Sequence, residues 1–110
     1  MNRKKITSII KKVLKLLLDS DYQKVYKLDS RKLLSAEEIQ KAVEDYTGKL
    51  TLPPPNIIKE VYIYETEDHN EVYVDIELWY EGEESDVTLS MSIINKNNEY
   101  DFSIENIHIL

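Results

Sequence analysis

Apolar residues fall at Ile6, Ile9, Ile10, Val13, Leu14 and Leu17, a spacing of i, i+3, i+4, i+7, i+8 and i+11. That period puts them on one stripe of a helix over residues 3–19, with Lys4, Lys11 and Lys15 on its other side. Arg3, Lys4 and Lys5 open this helix and Asp19 lies near its end, so the charges oppose the macrodipole. The cost is roughly 0.3 kcal/mol or more per charge, which burial of the apolar stripe offsets. In "SDYQKVYKL" Ser20 is followed three places on by Gln23, the pattern of a capping box for a short second helix with Tyr22, Val25 and Tyr26 inward. "SAEEIQKAVEDYTG" predicts a third helix: Ser35 caps, Glu38 closes the box, Ile39, Ala42, Val43 and Tyr46 form the stripe, and Gly48 takes the C′ position. Pro53, Pro54 and Pro55 then favour an extended connection over residues 51–56.

Beyond the prolines the pattern is that of strands: "IIKEVYIYE", "EVYVDIELWYE", "DVTLSMSII" and "EYDFSIENIHIL", with "TEDHN", "GEES" and "NKNN" as the turns. The chain therefore predicts an α+β domain in which N-terminal helices pack on one face of a four-stranded antiparallel meander sheet. It is one domain, 1–110, with a helical region over residues 1–50, a Pro linker over 51–56 and a sheet region over 57–110. In outline this order of elements is similar to the cystatin-like and nuclear-transport-factor-like folds. Within the second strand, Val72, Val74, Ile76, Leu78 and Tyr80 point to one face and Tyr73, Asp75, Glu77, Trp79 and Glu81 to the other. The third strand alternates likewise, with Val87, Leu89, Met91 and Ile93 inward and Asp86, Thr88, Ser90 and Ser92 outward, toward solvent.

Charge sharpens this picture because it is unevenly distributed. Residues 1–60 hold 13 Lys/Arg and 8 Asp/Glu, whereas residues 61–110 hold Lys96 alone against 13 carboxylates. "VDIELWYEGEESDVTLSMSI" carries six acidic residues and no basic one. Such a surface repels phosphates, so it excludes nucleic acid as its partner and favours a basic protein. The basic face of the first helix lacks aromatic side chains for stacking or interfacial anchoring, and is read as solvated, so neither nucleic acid nor membrane is expected there. The N-terminal apolar stretch is interrupted by Lys11, Lys12 and Lys15, unlike a signal sequence or membrane span. With no cysteine in the chain, a cytoplasmic location is expected.

Candidate chemistry is sparse. Asp75 and Glu77 lie two apart on a strand, on the same face and roughly 7 Å apart, a pair that could bind a divalent metal or act as acid and base. A nuclease of the Asp…Glu-x-Lys kind needs Lys where this chain has Trp79. The plainer reading is solvation of an exposed face. His69 falls in a turn and His108 in the last strand, and the serines have no Gly-x-Ser-x-Gly elbow. No catalytic residue, metal or cofactor is expected. A more informative surface combines Tyr73 and Trp79 with Asp75, Glu77 and Glu81, aromatic anchors among charges as at protein interfaces. Tyr62 and Tyr64 join it if they share its face, which the alternation of the first strand leaves open.

Three stretches, "LLSAEEIQKAVEDY" with "LPPP", "LWYEGEESDVTLSMSI" and the terminal "ENIHIL", together resemble a family of small bacterial domains associated with toxin–immunity systems. The resemblance spans roughly residues 30 to 110 and leaves the first helix outside. It implies a non-catalytic immunity protein that covers a basic cleft of a cognate toxin. Asp75, Glu77, Glu81, Glu83, Glu84 and Asp86 would then supply charge complementarity, with Trp79 and Tyr73 as anchors. Ser85 and Asp86 are alternatively turn-formers that fix the hairpin register. Two other classes stay open: a small-ligand cone with a cavity lined by Tyr22, Tyr26 and Tyr46, and a homodimer paired through the sheet face and weakened by Trp79→Asp.

Overall fold

Residues 1–109, which the computed structural model describes, form four helices and five strands. In chain order they are α1 (Arg3–Leu18), α2 (Tyr22–Leu28), α3 (Ala36–Glu44), β1 (Leu50–Thr51), α4 (Pro55–Lys59), β2 (Ile63–Glu65), β3 (Glu71–Tyr80), β4 (Glu83–Lys96) and β5 (Glu99–Ile109). The fold is α+β, with an antiparallel sheet in the order β1-β3-β4-β5 and β2 also paired to β3. Two tight hairpins build its body. They turn on Glu81–Gly82 and Asn97–Asn98, whose four φ angles are all positive, as primed two-residue turns require. β4 therefore begins at Glu83, three residues earlier than the alternation predicts.

The alternation of β3 is borne out along its whole length: Val72, Val74, Ile76, Leu78 and Tyr80 are buried, and every residue between them is half-exposed. On the inner face they meet Val87, Leu89, Met91 and Ile93 of β4 and Phe102, Ile104 and Ile107 of β5. The stripes of α1 (Ile6, Ile10, Val13, Leu14, Leu17) and α3 (Ile39, Val43) close that core, with Val25 of α2. Each such aliphatic side chain contributes roughly 2 kcal/mol on burial. That outweighs the adverse charges at the start of α1, which are also put to use. The Arg3 guanidinium donates to the carbonyls of Lys59 and Val61 at 3.0–3.1 Å, and Lys5 donates to the Asn98 carbonyl while lying 5.3 Å above the Tyr100 ring.

The structure corrects four local expectations. Residues 57–65 are not one strand. Pro55 starts α4, because a proline at the first helical position lacks only an N–H that would be unpaired there, and only Ile63–Glu65 remain extended. The stretch expected as a linker thus holds the end of β1 and the start of α4, and the sheet has five strands rather than four. α2 is capped by Asp21, whose carboxylate accepts from the Lys24 N–H, while Ser20 takes a positive φ of 56°. Gly48 lies beyond the end of α3 at Glu44 and serves β1 instead: at φ 109° it packs where an added Cβ would stand 3.1 Å from Glu81 Cγ. The capping box of Ser35 and Glu38 is present as expected.

β1 and β2 occupy the same edge of β3, since β4 fills the other. Thr51 and Leu50 pair with Trp79 and Tyr80, and Ile63–Glu65 pair with Val74–Val72. From Asp75 to Leu78, β3 has no strand partner on that side among the described residues, and α4 bridges the gap in sequence. Among the described residues no helix is long and apolar enough to cross a membrane.

Candidate functional site

The face of the sheet turned away from the helices is built by the odd residues of β3. Tyr73, Asp75, Glu77 and Trp79 stand in a row along it, each half-exposed. Cross-strand neighbours extend the row on both sides. Tyr64 of β2 lies opposite Tyr73, with rings 6.4 Å apart edge to face, and the Tyr62 ring meets Tyr64 at 4.6 Å, tilted by 56°. The register therefore places Tyr62 and Tyr64 on this face, joined to Tyr73 in one aromatic strip. Tyr62 is 68% exposed and Tyr64 46%. The strip belongs to the candidate surface, although β2 is too short for its alternation to fix a face.

On the far side of β3, Asp75 accepts from the Ser90 hydroxyl at 2.5 Å, Glu77 faces Thr88, and Trp79 faces Glu84. Between Glu77 and Trp79 the register shifts, and one β3 residue, Leu78, stands against three of β4. Ser85 holds this bulge: its hydroxyl donates to the Leu78 carbonyl at 2.6 Å and accepts from the Val87 N–H at 3.1 Å. Ser85 thus fixes the register, while Asp86 and Glu83 are exposed beside it.

Glu81 does not join the row. β3 ends at Tyr80, and Glu81 enters the turn at φ 54°, where its carboxylate accepts from the Lys49 N–H and its own N–H donates to the Lys49 carbonyl, both at 2.8 Å. It ties the hairpin to β1 and is drawn off the outer face.

The outer surface of β4 is likewise different from the solvated strip that its Thr and Ser suggest. Thr88, Ser90 and Ser92 are at most 2% exposed, as is Ser103 opposite Ser92. Their short side chains lie on a central strand between longer ones on β3 and β5. Arg31 adds to that cover. Asp29, buried after α2, accepts from the N–H groups of Arg31, Lys32 and Ile104, which pins this loop to β5. From there the Arg31 guanidinium pairs with Glu71 of β3 and Glu105 of β5, which hold its pKa above the ordinary value, and Glu105 accepts from Ser92 at 2.7 Å. Asp101 is neutralised at 3.7 Å by Lys96.

Like Glu83 and Asp86 beside the bulge, Asp75, Glu77 and Glu84 have no ion pair among the described residues. Together with Tyr62, Tyr64 and Thr88 they surround a cleft of about 420 Å³ at the gap in the β3 edge, floored on the α4 side by Ile57 and Val61. Four buried side-chain atoms lack a hydrogen-bond partner among the described residues: Trp79 Nε1, Thr88 Oγ1, Ser103 Oγ and His108 Nδ1. All four belong to residues on the outer-face parity of their strands. No group of three or more His, Asp or Glu side chains among the described residues is disposed to hold a metal ion.

Of Tyr22, Tyr26 and Tyr46, the expected lining of a ligand cone, Tyr22 and Tyr46 both neighbour Tyr80, while Tyr26 lies apart from them against Lys32. The Tyr22 hydroxyl donates to Glu44 at 2.9 Å, Tyr26 lies under Lys32, and Tyr46 stacks on Tyr80 at 4.5 Å.

These features define a small α+β protein with a helix-covered core and an open acidic, aromatic sheet face. The chain belongs to the family described as Domain of unknown function (DUF7668), which matches residues 14–110 and so begins within α1. No curated protein and no solved structure matches it.

Proposed function

We propose that this chain is a non-catalytic protein-binding module whose outer sheet face receives a basic protein partner. The observation that carries the reading is the segregation of charge on one face: Arg31 and Lys96 neutralise carboxylates at one end, while Asp75, Glu77 and Glu84 have no ion pair among the described residues and lie beyond a cluster of three tyrosines. Unpaired carboxylates around aromatic anchors steer and select a cationic surface. The resemblance of the sequence to immunity domains would make that surface a toxin's basic cleft, and the geometry itself calls only for a cationic protein. A second copy of the chain suits the face poorly, because a two-fold pairing of this face would bring two acidic patches together.

The test is retention from the source cells on immobilised wild type and on Glu77→Lys/Glu84→Lys. A basic protein held by wild type, released by raising salt and absent from the double variant is the expected result. Retention indifferent to the charge reversal, or none at all, would sink the reading.

A further inference from the structure

We propose that the cleft at the gap in the β3 edge takes an arginine side chain of that partner, an inference that rests on the outer face being a protein-binding surface. Two independent observations point to a cationic, hydrogen-bond-donating occupant. The first is charge: Glu60, Asp75, Glu77 and Glu84 are among the ten residues that line the cleft, and none of the ten is basic. The second is Thr88, which is 1% exposed, lines the same cleft, and has a hydroxyl without a hydrogen-bond partner among the described residues. A desolvated hydroxyl left unpaired is costly, so an occupant that donates to it gains what the free protein lacks.

Arginine fits this combination better than lysine. A planar guanidinium offers five donors in a fixed fork, enough to serve Thr88 Oγ1 and the flanking carboxylates together. Its plane also lies favourably against a tyrosine face, which Tyr62 and Tyr64 provide at the mouth. The methylene stem would run over Ile57 and Val61. The occupant is assigned to a protein segment because the cleft sits where β3 lacks a strand partner from Asp75 to Leu78, beside the exposed tyrosine strip that the same partner would cover.

The test titrates the intact, isotope-labelled protein with acetyl-Gly-Arg-Gly-amide, its citrulline counterpart and agmatine, followed by amide chemical shifts. The arginine peptide should move Tyr62, Tyr64 and Thr88 and bind about tenfold more tightly than the citrulline peptide, which has the shape without the charge. Thr88→Val should weaken it severalfold while leaving the melting temperature unchanged or higher. Equal binding of the citrulline peptide, shifts confined to other surfaces, or an unaffected Thr88→Val would overturn the assignment. Agmatine bound as tightly as the peptide would also overturn it, in favour of a free cation. If the peptide fails while wild type still retains a basic protein that Glu77→Lys/Glu84→Lys loses, the cleft is wrong and the face stands. If the peptide binds but no basic protein is retained, the reading of the face falls instead.

Discussion

On the helix-covered side of the sheet the buried polar groups are tied to named partners. Asp29 accepts three backbone N–H bonds, the Tyr22 hydroxyl donates to Glu44, and the Tyr80 hydroxyl donates to the Val43 carbonyl at 2.6 Å. On the opposite side, short polar side chains are buried by their neighbours, and four of their atoms and those of adjacent residues have no partner among the described residues. Both sides exclude water, and Ser90 and Ser92 of the second find Asp75 and Glu105, yet the buried side-chain atoms without a partner among the described residues all lie on that second side. The helical side therefore reads as structure, and on the proposal made above the outer side is a surface that takes donors and acceptors from a partner. If that is right, deleting a polar group should destabilise the protein on the first side and not on the second.

The largest effect is expected at Asp29. Asp29→Ala removes the acceptor of three N–H groups at a position 1% exposed, and hydrogen bonds to a buried charge are worth about 2 kcal/mol each. A loss of about 3 kcal/mol or more by urea denaturation is expected, with the loop that carries Arg31 released from β5. A loss under about 1 kcal/mol would mean that the seam between α2 and β5 is held by packing alone.

Tyr22 and Tyr80 come next, and they act through pH. Burial first, then the neighbouring Glu44, pushes Tyr22 up to about 12; burial, then Tyr22 and Tyr46, does the same to Tyr80. Unfolded tyrosine titrates near 10. Below pH 10 both states keep the proton. Between 10 and 12 the unfolded state releases it first, so stability falls as pH rises, by about 1.4 kcal/mol per pH unit for each tyrosine. Denaturation at pH 8 and at steps between 10 and 12 measures the slope. Tyr80→Phe should roughly halve it, leaving the share of Tyr22, while costing about 1 kcal/mol at pH 8, where the Val43 carbonyl loses its donor.

Arg31 is a smaller matter for stability because its side chain is 40% exposed and its pairs are screened. Arg31→Gln should cost at most about 1 kcal/mol, less at high salt. Its consequence for binding has the other sign. Freeing Glu71 and Glu105 enlarges the unpaired acidic area, so association with a basic partner at low salt should become faster. An unchanged rate would show that encounter depends only on the open end of the face.

Much of the helical side was legible in the sequence, since α1, α3 and the inner residues of β3 and β4 follow periodicity and one capping box. Its errors were local. Pro55 reads as a breaker until it is known to stand at a first helical position, and Asp21 rather than Ser20 caps α2 because one residue of displacement costs the pattern nothing. The outer face was legible only in charge. Asp75, Glu77 and Trp79 are where alternation puts them, but Glu81 is drawn away by Lys49, a partner 32 residues distant that no local pattern reveals. Arg31 is the same case: it sits in an unremarkable loop and meets Glu71 and Glu105 across 40 and 74 residues. Thr88, Ser90 and Ser92 look solvated because alternation records direction, and burial on a central strand depends on the length of the side chains flanking it.

Thr88 carries the distinction between the two sides in one substitution. Thr88 is as buried as Asp29, in the middle of the sheet, but its hydroxyl has no partner to lose among the described residues. Thr88→Val keeps the β-branched shape that the strand favours and exchanges a desolvated hydroxyl for a methyl. The free protein should therefore be stabilised, by about 1 kcal/mol or less, where the comparable deletion at Tyr80 destabilises it. Denaturation at neutral pH measures both, and the opposite signs matter more than the sizes. A loss of stability in Thr88→Val would mean that the hydroxyl is satisfied in solution, and that the outer face is finished structure like the inner one. A gain, paired with weaker binding of a basic partner, would mean that the residue is kept polar at some cost to the fold for the sake of what docks there.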